Sequence, residues 1–439
     1  MLESKALYRA IGKSMLGKYA VYFVNLASLI ILARIFTPET FGTVAAMAVF
    51  LSFFQLMAEA GLGPAIINRD NLSPSERDGI FGLTLMMGLL LGLIFYMLAP
   101  VFESFYGISG ISTVVPFVSI ALFFFTASIV PNAVLVRQQS FYRVAVAGLV
   151  AEVVSTVSVI ILSFKVEPLI ALAAKGAISA AIVTIAVWIQ SANTEFGRPI
   201  PSKNFKAIKP LLRFSGYQFG FNFINYFSRN LDTILVGRYL GASVLGVYEK
   251  SYQLMKYPLM LLTFAMTPAI QPVIRKHAND RVKVEEIHRD FVFKLSIVGS
   301  VAGLSMFVLA DWIVQLVLGN QWLDVIPIIR ILAIAIPVQI VLSTSGSFFQ
   351  AMNRVDLLFL SGILSAVVMV SAIIVGISAR DTELLCWCLV AAFHFNFFQA
   401  YYYLQKKVFC AALSPILLRM IPAVLIIVGM IIYSIIYGI

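Results

Sequence analysis

The amino-acid sequence predicts an all-α polytopic membrane protein made of two six-helix lobes around a central cavity, with one further helix after them. Three observations support this prediction: a very apolar composition, long apolar windows that recur along the whole chain, and an internal repeat. Of the 439 residues, 60% are hydrophobic and 12% are charged, whereas soluble domains are about 25% charged. A soluble core cannot bury this much apolar surface, so we expect the chain to lie in a membrane.

Thirteen apolar windows are long enough to cross a bilayer, which takes about 20 residues. They fall near residues 14–35, 40–66, 79–101, 111–136, 144–164, 168–190, 211–237, 245–273, 291–318, 325–352, 357–378, 383–404 and 415–437. If the N-terminus is cytoplasmic, 23 of the 32 lysines and arginines lie on inside loops and only 6 at the outer ends. The positive-inside rule therefore predicts that orientation, and it explains the net charge of +11 without a nucleic-acid partner.

The N-terminal segment is basic on one side, because Lys5, Arg9 and Lys13 recur every four residues. This spacing suits a helix that lies on anionic membrane lipid, and it suits a plain positive-inside anchor equally well. The three cysteines and three histidines have neither disulfide nor metal-ligand spacing. We therefore expect no metal and no cofactor.

An internal repeat appears when ARIFTPETFGTVAA (33–46) is set over GRYLGASVLGVYEK (237–250). An offset of 204 pairs Arg34 with Arg238, Gly42 with Gly246 and Pro64 with Pro268. Further on, an offset of 211 pairs Pro116 with Pro327, Gln139 with Gln350 and Arg143 with Arg354. We predict lobes over residues 1–195 and 196–404 and an added helix in 405–439. Six spans in each lobe would relate the lobes by an axis along the membrane normal.

Polar residues follow one helical face of several predicted spans. In the seventh span they recur at a spacing of three and four, at Ser215, Gln218, Asn222, Asn225, Arg229 and Asp232. Comparable stripes include Asn25 in the first span, Ser52 and Glu59 in the second and Lys256 in the eighth. Such stripes are costly against hydrocarbon, so they face protein or water. They could join helices, with Arg229 and Asp232 as a pair, or line a hydrated cavity; their occurrence in both repeats favours the cavity.

The charges near the predicted cavity are mostly positive, which indicates an anionic substrate, best a phosphate. The predicted substrate-binding residues are Arg229, Lys256, Arg34, Arg238, Lys175, Arg330, Asn25, Asn222 and Asn225. Glu59 and Asp232 are the candidates for exchanging a coupling ion, H⁺ or Na⁺. Glu59 could equally be a paired or neutral structural residue.

Two segments, AEAGLGPAIINR…LS (58–73) and LDTILVGRYLGASVLGVYEKSYQL (231–254), resemble the polysaccharide transporter family. The likeness is to Wzx-type flippases, in particular the colanic and teichuronic acid exporter branch, within the multidrug/oligosaccharidyl-lipid/polysaccharide exporter superfamily. The resemblance implies two lobes in a V around the cavity, in a bacterial inner (plasma) membrane. It also implies export of an oligosaccharide linked to an undecaprenyl-pyrophosphate type of lipid, in association with a polysaccharide polymerase or export complex.

Two other functions stay open at the level of the sequence. A cation-coupled drug exporter of the same superfamily would need a more acidic and aromatic cavity. A membrane glycosyltransferase or ligase would need paired carboxylates or a metal motif in a loop, and none is recognised in the sequence. We therefore expect a transporter for cell-surface polysaccharide synthesis and not an enzyme.

Overall fold

The computed structural model describes residues 2–59, 62–67, 69, 72–204, 226–227, 229–275 and 280–438. Within these ranges the chain is helical and contains no strand, as the composition predicts. The chain forms two compact units, Met1–Gly246 and Val247–Ile439. The lobe boundaries proposed from the repeat stay a prediction.

The first unit contains the helices up to residue 240, and α10 begins in it. They are α1 (Leu2–Ile35), α2 (Pro38–Glu59), α3 (Leu62–Ile67), α4 (Pro74–Met97), α5 (Ala99–Tyr106), α6 (Ile111–Arg137), α7 (Phe141–Ser163), α8 (Pro168–Ser191), α9 (229–240) and α10 (Ala242–Arg275).

The second unit contains most of α10 and all later helices. These are α11 (Arg281–Val308), α12 (Ala310–Val317), α13 (Val325–Ala333), α14 (Ile336–Leu342), α15 (Ser345–Ala351), α16 (Val355–Ser378), α17 (Thr382–Tyr402), α18 (Ser414–Arg419) and α19 (Ile421–Tyr437). A π-helix, Tyr403–Phe409, continues α17.

The described helices confirm a multi-pass membrane protein. Eight of them are long and apolar enough to cross a bilayer, or nine if one bent pair counts as a span. Tyr19–Ile35 and Ile421–Tyr437 are shorter apolar helices. The predicted window 211–237 lies mostly outside the described residues, so the count of thirteen stays a prediction.

Several apolar windows that the sequence predicts as continuous spans consist of more than one helix in the structure. The window 325–352 bends by 52° between α13 and the helix that follows, and Pro337 stands in the first turn of α14. The window 79–101 breaks between α4 and α5, where Pro100 occupies the first turn of α5. A proline has no N–H to donate to the preceding turn and clashes with it, so a new helix starts there.

The helix boundaries correct the register of the second part of the repeat. The starts of α6 and α13, at Ile111 and Val325, are 214 residues apart. The left-handed turn residues Gln139 (φ 57°) and Asn353 (φ 55°) are also 214 apart. The predicted offset of 211 holds only between α5 and α12. The offset grows from 211 to 214 because the loop between α12 and α13 has three more residues than the loop between α5 and α6, and these include the short 3₁₀ helix Asn320–Trp322. The predicted partners of Pro116, Gln139 and Arg143 were therefore wrong by three positions.

In each unit, a cluster of buried side chains joins long and short helices. In the first unit, Ile80 and Phe81 of α4 pack against Ile66, Val130 and Ala133. In the second unit, His288 of α11 is fully buried among aromatic rings. Its ring centroid lies 4.5 Å from that of Phe348, 5.4 Å from Tyr401 and 5.2 Å from Phe409.

Short polar side chains set the starts of three helices. Ser73 and Glu76 form a capping box at the start of α4, and Arg69 pairs with Glu76 at 2.5 Å. Asp280 accepts from the N–H of Lys283 at the start of α11, and Asp381 caps α17 in the same way. Each cap satisfies backbone donors that the first helical turn leaves without partners.

The polar stretch after α8 lies along the first part of α4. The backbone oxygen of Asn204 would be 2.0 Å from a Cβ at Gly79, and that of Ser202 would be 2.1 Å from a Cβ at Gly82. These two glycines are one helical turn apart and leave room for the backbone of this segment. The N–H of Ser202 donates to the carbonyl of Asp78 at 3.2 Å.

Candidate functional site

The start of α2 and the start of α10 cross through two repeat-equivalent glycines. A Cβ on Gly42 would lie 1.7 Å from the carbonyl oxygen of Ala242, and a Cβ on Gly246 would lie 1.9 Å from that of Pro38. Pro38 and Ala242 are themselves equivalent at an offset of 204, so the two contacts are reciprocal. This supports the register predicted for the first part of the repeat, and it gives both glycines a role in close helix approach.

Two pairs of repeat-equivalent stripe residues have matching exposure. Asn25 and Arg229 occupy equivalent positions and are both exposed. The next equivalent pair, Ser28 and Asp232, is buried, at 5% and 6% exposure. The side chain of Ser28 bonds to Thr156 of α7 at 2.7 Å, so this part of the stripe joins helices. In both repeats, an exposed residue is thus followed three positions later by a buried one.

Two tyrosines that are not among the predicted site residues make contacts at or just before α9, the helix that carries Arg229. The hydroxyl of Tyr226 donates to the carbonyl of Val49 in α2. The hydroxyl of Tyr106 donates to the carbonyl of Ala46 at 3.3 Å, and its ring would lie 2.8 Å from a Cβ at Gly237. A tyrosine in an apolar helix needs an acceptor for its hydroxyl, and that requirement is the signal that could have identified both residues.

The repeat-equivalent arginines lie at the ends of their helices. Arg34 is in the last turn of α1, Arg238 is near the end of α9, and both side chains are exposed. The guanidinium of Arg238 lies over the ring of Phe105, 5.6 Å from its centroid. Both positions favour a cation, because the helix dipole is negative at the C-terminal end.

Lys256 belongs to a polar network along α10. Its ammonium lies 4.3 Å from the ring centroid of Tyr252 and the side chain is exposed. Six residues before Lys256, Lys250 donates to Gln253 at 3.2 Å. Gln253 in turn donates to the hydroxyl of Tyr257 at 3.0 Å. Lys256 is thus an exposed cation of α10, and its part in binding stays a prediction.

Two predicted binding cations have acidic partners within their own unit. Lys175 of α8 donates to Glu152 of α7 at 2.7 Å, and the two side chains are 23% and 14% exposed. Arg330 of α13 pairs with Asp311 of α12. Each cation therefore has an acidic neighbour that the sequence did not indicate, and its part in binding an anion stays a prediction. Sequence spacing did not show the partners, because they lie on neighbouring helices 23 and 19 residues away.

The two coupling candidates have opposite surroundings. Glu59 is the last residue of α2 and is exposed, and its Oε1 would lie 3.3 Å from a Cβ on Gly63. Asp232 is buried and accepts from the N–H of Thr233 at 2.9 Å. Exposure makes Glu59 the better candidate for ion exchange. Asn222 and Asn225 fall outside the described residues.

Breaking the Lys175–Glu152 pair is expected to destabilise the first unit. The change Lys175→Met leaves Glu152 without its partner in an apolar setting, which costs about 3 kcal/mol. The double change Glu152→Gln with Lys175→Met removes both charges and should recover most of the loss. Thermal unfolding of the purified variants in detergent measures this. A double variant as unstable as Lys175→Met alone would show that the two side chains are not coupled.

Comparisons with known proteins agree with this architecture. A family model described as "Polysaccharide biosynthesis protein" matches residues 31–327. Teichuronic acid biosynthesis protein TuaB of Bacillus subtilis is 24% identical over 307 residues, 70% of this chain and 63% of TuaB. Lipopolysaccharide biosynthesis protein WzxC of Escherichia coli is 25% identical over 361 residues, 80% of this chain and 71% of WzxC.

Solved structures share the fold at low sequence identity. Lipid II flippase MurJ in an inward closed conformation has a TM-score of 0.72 at 14% identity, over 96% of this chain and 99% of MurJ. An inward-facing multidrug resistance MATE family transporter of the MOP superfamily has a TM-score of 0.63 at 16% identity, over 92% and 95% of the two chains. The family match covers well over half of the sequence, and the helices have the MurJ and MATE arrangement. The chain therefore belongs to the polysaccharide biosynthesis protein family and has the fold of the MOP superfamily exporters.

Proposed function

We propose that the protein is a flippase that moves an isoprenoid-pyrophosphate-linked oligosaccharide from the cytoplasmic to the outer leaflet for cell-surface polysaccharide synthesis. The family match over residues 31–327 is the observation that carries this proposal. The names of TuaB and WzxC refer to teichuronic acid and lipopolysaccharide synthesis, and MurJ is named a lipid II flippase. We infer an undecaprenyl type of lipid, a bacterial inner membrane and a cytoplasmic N-terminus.

The exposed cations suit the charged part of such a substrate. Arg229, Lys256, Arg34 and Arg238 all present their side chains at the surface of their units. Arginine binds phosphate oxygens through two parallel N–H donors, and lysine adds a point charge. We propose that these four bind the pyrophosphate or acidic sugars, with the amide of Asn25 and those of Asn222 and Asn225 contacting neutral sugar hydroxyls.

The membrane potential would assist the proposed transport. A pyrophosphate head group with about two negative charges moves from a negative interior to the outside. At about 2.3 kcal/mol per charge per 100 mV, export is favoured by about 4–5 kcal/mol. Cations along the path would replace part of the hydration of the phosphates. The potential can thus drive the loaded step, and an ion can reset the empty carrier.

Reconstitution in liposomes tests the function directly. The purified protein is inserted into vesicles that contain a fluorescent lipid-pyrophosphate oligosaccharide, and a membrane-impermeant quencher reports the fraction in the outer leaflet. We expect exposure well above that of protein-free vesicles, and faster exposure when the potential is set to drive the anion toward the quencher side. No exposure with folded protein would contradict the proposal.

The same vesicles separate the two rival functions. A drug exporter would move cationic dyes against a proton or sodium gradient and leave the lipid-linked glycan in place. A glycosyltransferase or ligase would change the mass of the glycan lipid, which mass spectrometry of the extracted lipids detects. We expect neither, since the exposed charges of the stripes are mostly positive and both TuaB and WzxC are named for polysaccharide synthesis.

Glu59→Gln is expected to stop turnover under a proton or sodium gradient while substrate binding stays intact. The neutral amide keeps the size of the side chain but cannot exchange an ion, so the empty carrier cannot be reset. Glu39→Gln is the matched control, because Glu39 is an exposed glutamate in the first turn of the same helix. If Glu59→Gln transports as fast as the unmodified protein, Glu59 is a packing residue and the carrier is driven by the potential alone.

A further inference from the structure

An apolar cleft lies between the end of α17 and α18 in the second unit. Its volume is about 360 Å³, and its walls include Phe395, Phe398 and Tyr402 on one side and Leu413 and Leu417 on the other. Phe395, Phe398, Tyr402 and Leu417 are 44–57% exposed. In a helix that crosses a membrane, such exposed apolar side chains face lipid. The cleft is therefore a recess in the lipid-facing surface.

Two lysines stand at the end of this recess. The π-helix Tyr403–Phe409 carries Lys406 and Lys407, both exposed. Residues five apart in a π-helix are one turn apart, so Lys407 lies about one turn beyond Tyr402. The chain reverses at Cys410, where φ is 57°, and returns as α18, the second wall. The lysines thus mark the polar end of an otherwise apolar recess.

Two neighbouring arginines contact this end of the recess. Arg354 donates to the backbone carbonyl of Lys407 at 2.9 Å and to Asp356 at 2.9 Å. The guanidinium of Arg281 lies 4.0 Å from the sulfur of Cys410. Arg354 therefore binds the backbone of the π-helix through this hydrogen bond. Its positive charge is paired with the carboxylate of Asp356. The side chains of Lys406 and Lys407 are both exposed, so their ammonium groups are accessible to a phosphate.

We propose that this cleft binds one acyl chain of an anionic phospholipid, whose phosphate group lies on Lys406 and Lys407. The groups of the recess follow the order of the groups in a phospholipid. The apolar walls correspond to the acyl chain, Tyr402 to the glycerol region at the interface, and the two lysines to the phosphate. Near a membrane surface each lysine strengthens the binding of an acidic lipid about fivefold. A zwitterionic lipid fills the same recess without that gain. None of the residues that line the cleft is among those proposed to bind the glycan.

Photolabelling of the full-length protein tests the site independently of transport. Detergent-solubilised protein is titrated with phosphatidylglycerol or phosphatidylcholine that carries the same diazirine in one acyl chain, and labelled peptides are mapped by mass spectrometry. We expect both lipids to label the Phe395–Leu417 region. Half-maximal labelling should need a mole fraction of phosphatidylglycerol about 25-fold lower than that of phosphatidylcholine, because two lysines contribute about fivefold each. The change Lys406→Gln with Lys407→Gln should abolish this preference. Lys294→Gln, an exposed lysine of α11, should leave it unchanged.

A second pair of variants tests the recess itself. Leu417→Trp fills the cleft and should reduce labelling by both lipids, whereas Leu418→Trp, the exposed neighbour outside the cleft, should not. Equal labelling by the two lipids in the unmodified protein, or labelling confined to other helices, would overturn the proposal. So would displacement of phosphatidylglycerol by an equal amount of polyprenyl phosphate, which would assign the cleft to an isoprenoid chain. Should Leu417→Trp not fold, the lysine variants still decide the outcome.

Discussion

Replacement of Gly42 by alanine is expected to destabilise the protein by about 3 kcal/mol, the upper part of the range for overpacked sites. The new methyl group would lie 1.7 Å from the carbonyl oxygen of Ala242, a distance that no side-chain rotation can relieve because both atoms are fixed by the backbone. The two helices must therefore separate along their whole crossing. Thermal unfolding in detergent and the yield of monodisperse protein measure the loss.

The reciprocal geometry supplies a sharp comparison. Gly246→Ala places a methyl group 1.9 Å from the carbonyl of Pro38 and should cost a similar amount. The double variant should lose less than the sum, because helices already moved apart by one methyl group can accommodate the other. Gly176→Ala is the control, since nothing lies within 4 Å of its added carbon. Full stability of Gly42→Ala would mean that the crossing is looser than the structure describes.

Arg229→Ala is expected to lower flipping of the lipid-linked oligosaccharide at least tenfold without lowering the amount of folded protein. Hydrogen bonds to a charged group contribute about 1.5–3 kcal/mol, which corresponds to about 10- to 100-fold in affinity. Arg229 is exposed, so its removal opens no cavity in the core. The liposome assay measures the rate, and size-exclusion chromatography measures the folded fraction.

Two further variants separate binding from a structural role for this arginine. Arg229→Lys keeps the charge and should retain part of the transport. Lys165→Ala removes an exposed cation from the loop between α7 and α8 and should have no effect. If Arg229→Ala transports normally, the residue acts in helix association with Asp232, and the phosphate must be bound elsewhere.

The fold class could be predicted from the sequence because it depends on composition and on the length of apolar windows. The register between Arg34 and Pro64 and their equivalents could also be predicted, since glycines at a tight crossing leave a recognisable pattern. The later register was wrong because a three-residue insertion, Asn320–Trp322, has no distinctive sequence pattern. Helix breaks at Pro100 and Pro337 were missed because the apolar windows continue across them.

The candidate site was predicted less completely, for a physical reason. Spacing along one helix shows which residues share a face, and it placed Arg229 and Lys256 on polar stripes. It does not show which helix lies opposite. The partners of Lys175 and Arg330, Glu152 and Asp311, lie on neighbouring helices and became apparent only from the packing. The tyrosines that make contacts at or just before α9 were missed for the same reason.

The segment that lies along α4 has a consequence for dividing the chain into co-expressed fragments. A break after Asn204 leaves residues 195–204 on the first fragment, so their contacts with that fragment are kept. These include the hydrogen bond from the N–H of Ile200 to the carboxylate of Asp78 at 3.0 Å. The indole N–H of Trp188 also donates to the carbonyl of Pro199 at 3.0 Å. A break at Thr194 uncovers Gly79 and Gly82 and removes the tail that packs on them. The later break is therefore the one from which two separately translated halves can reassemble.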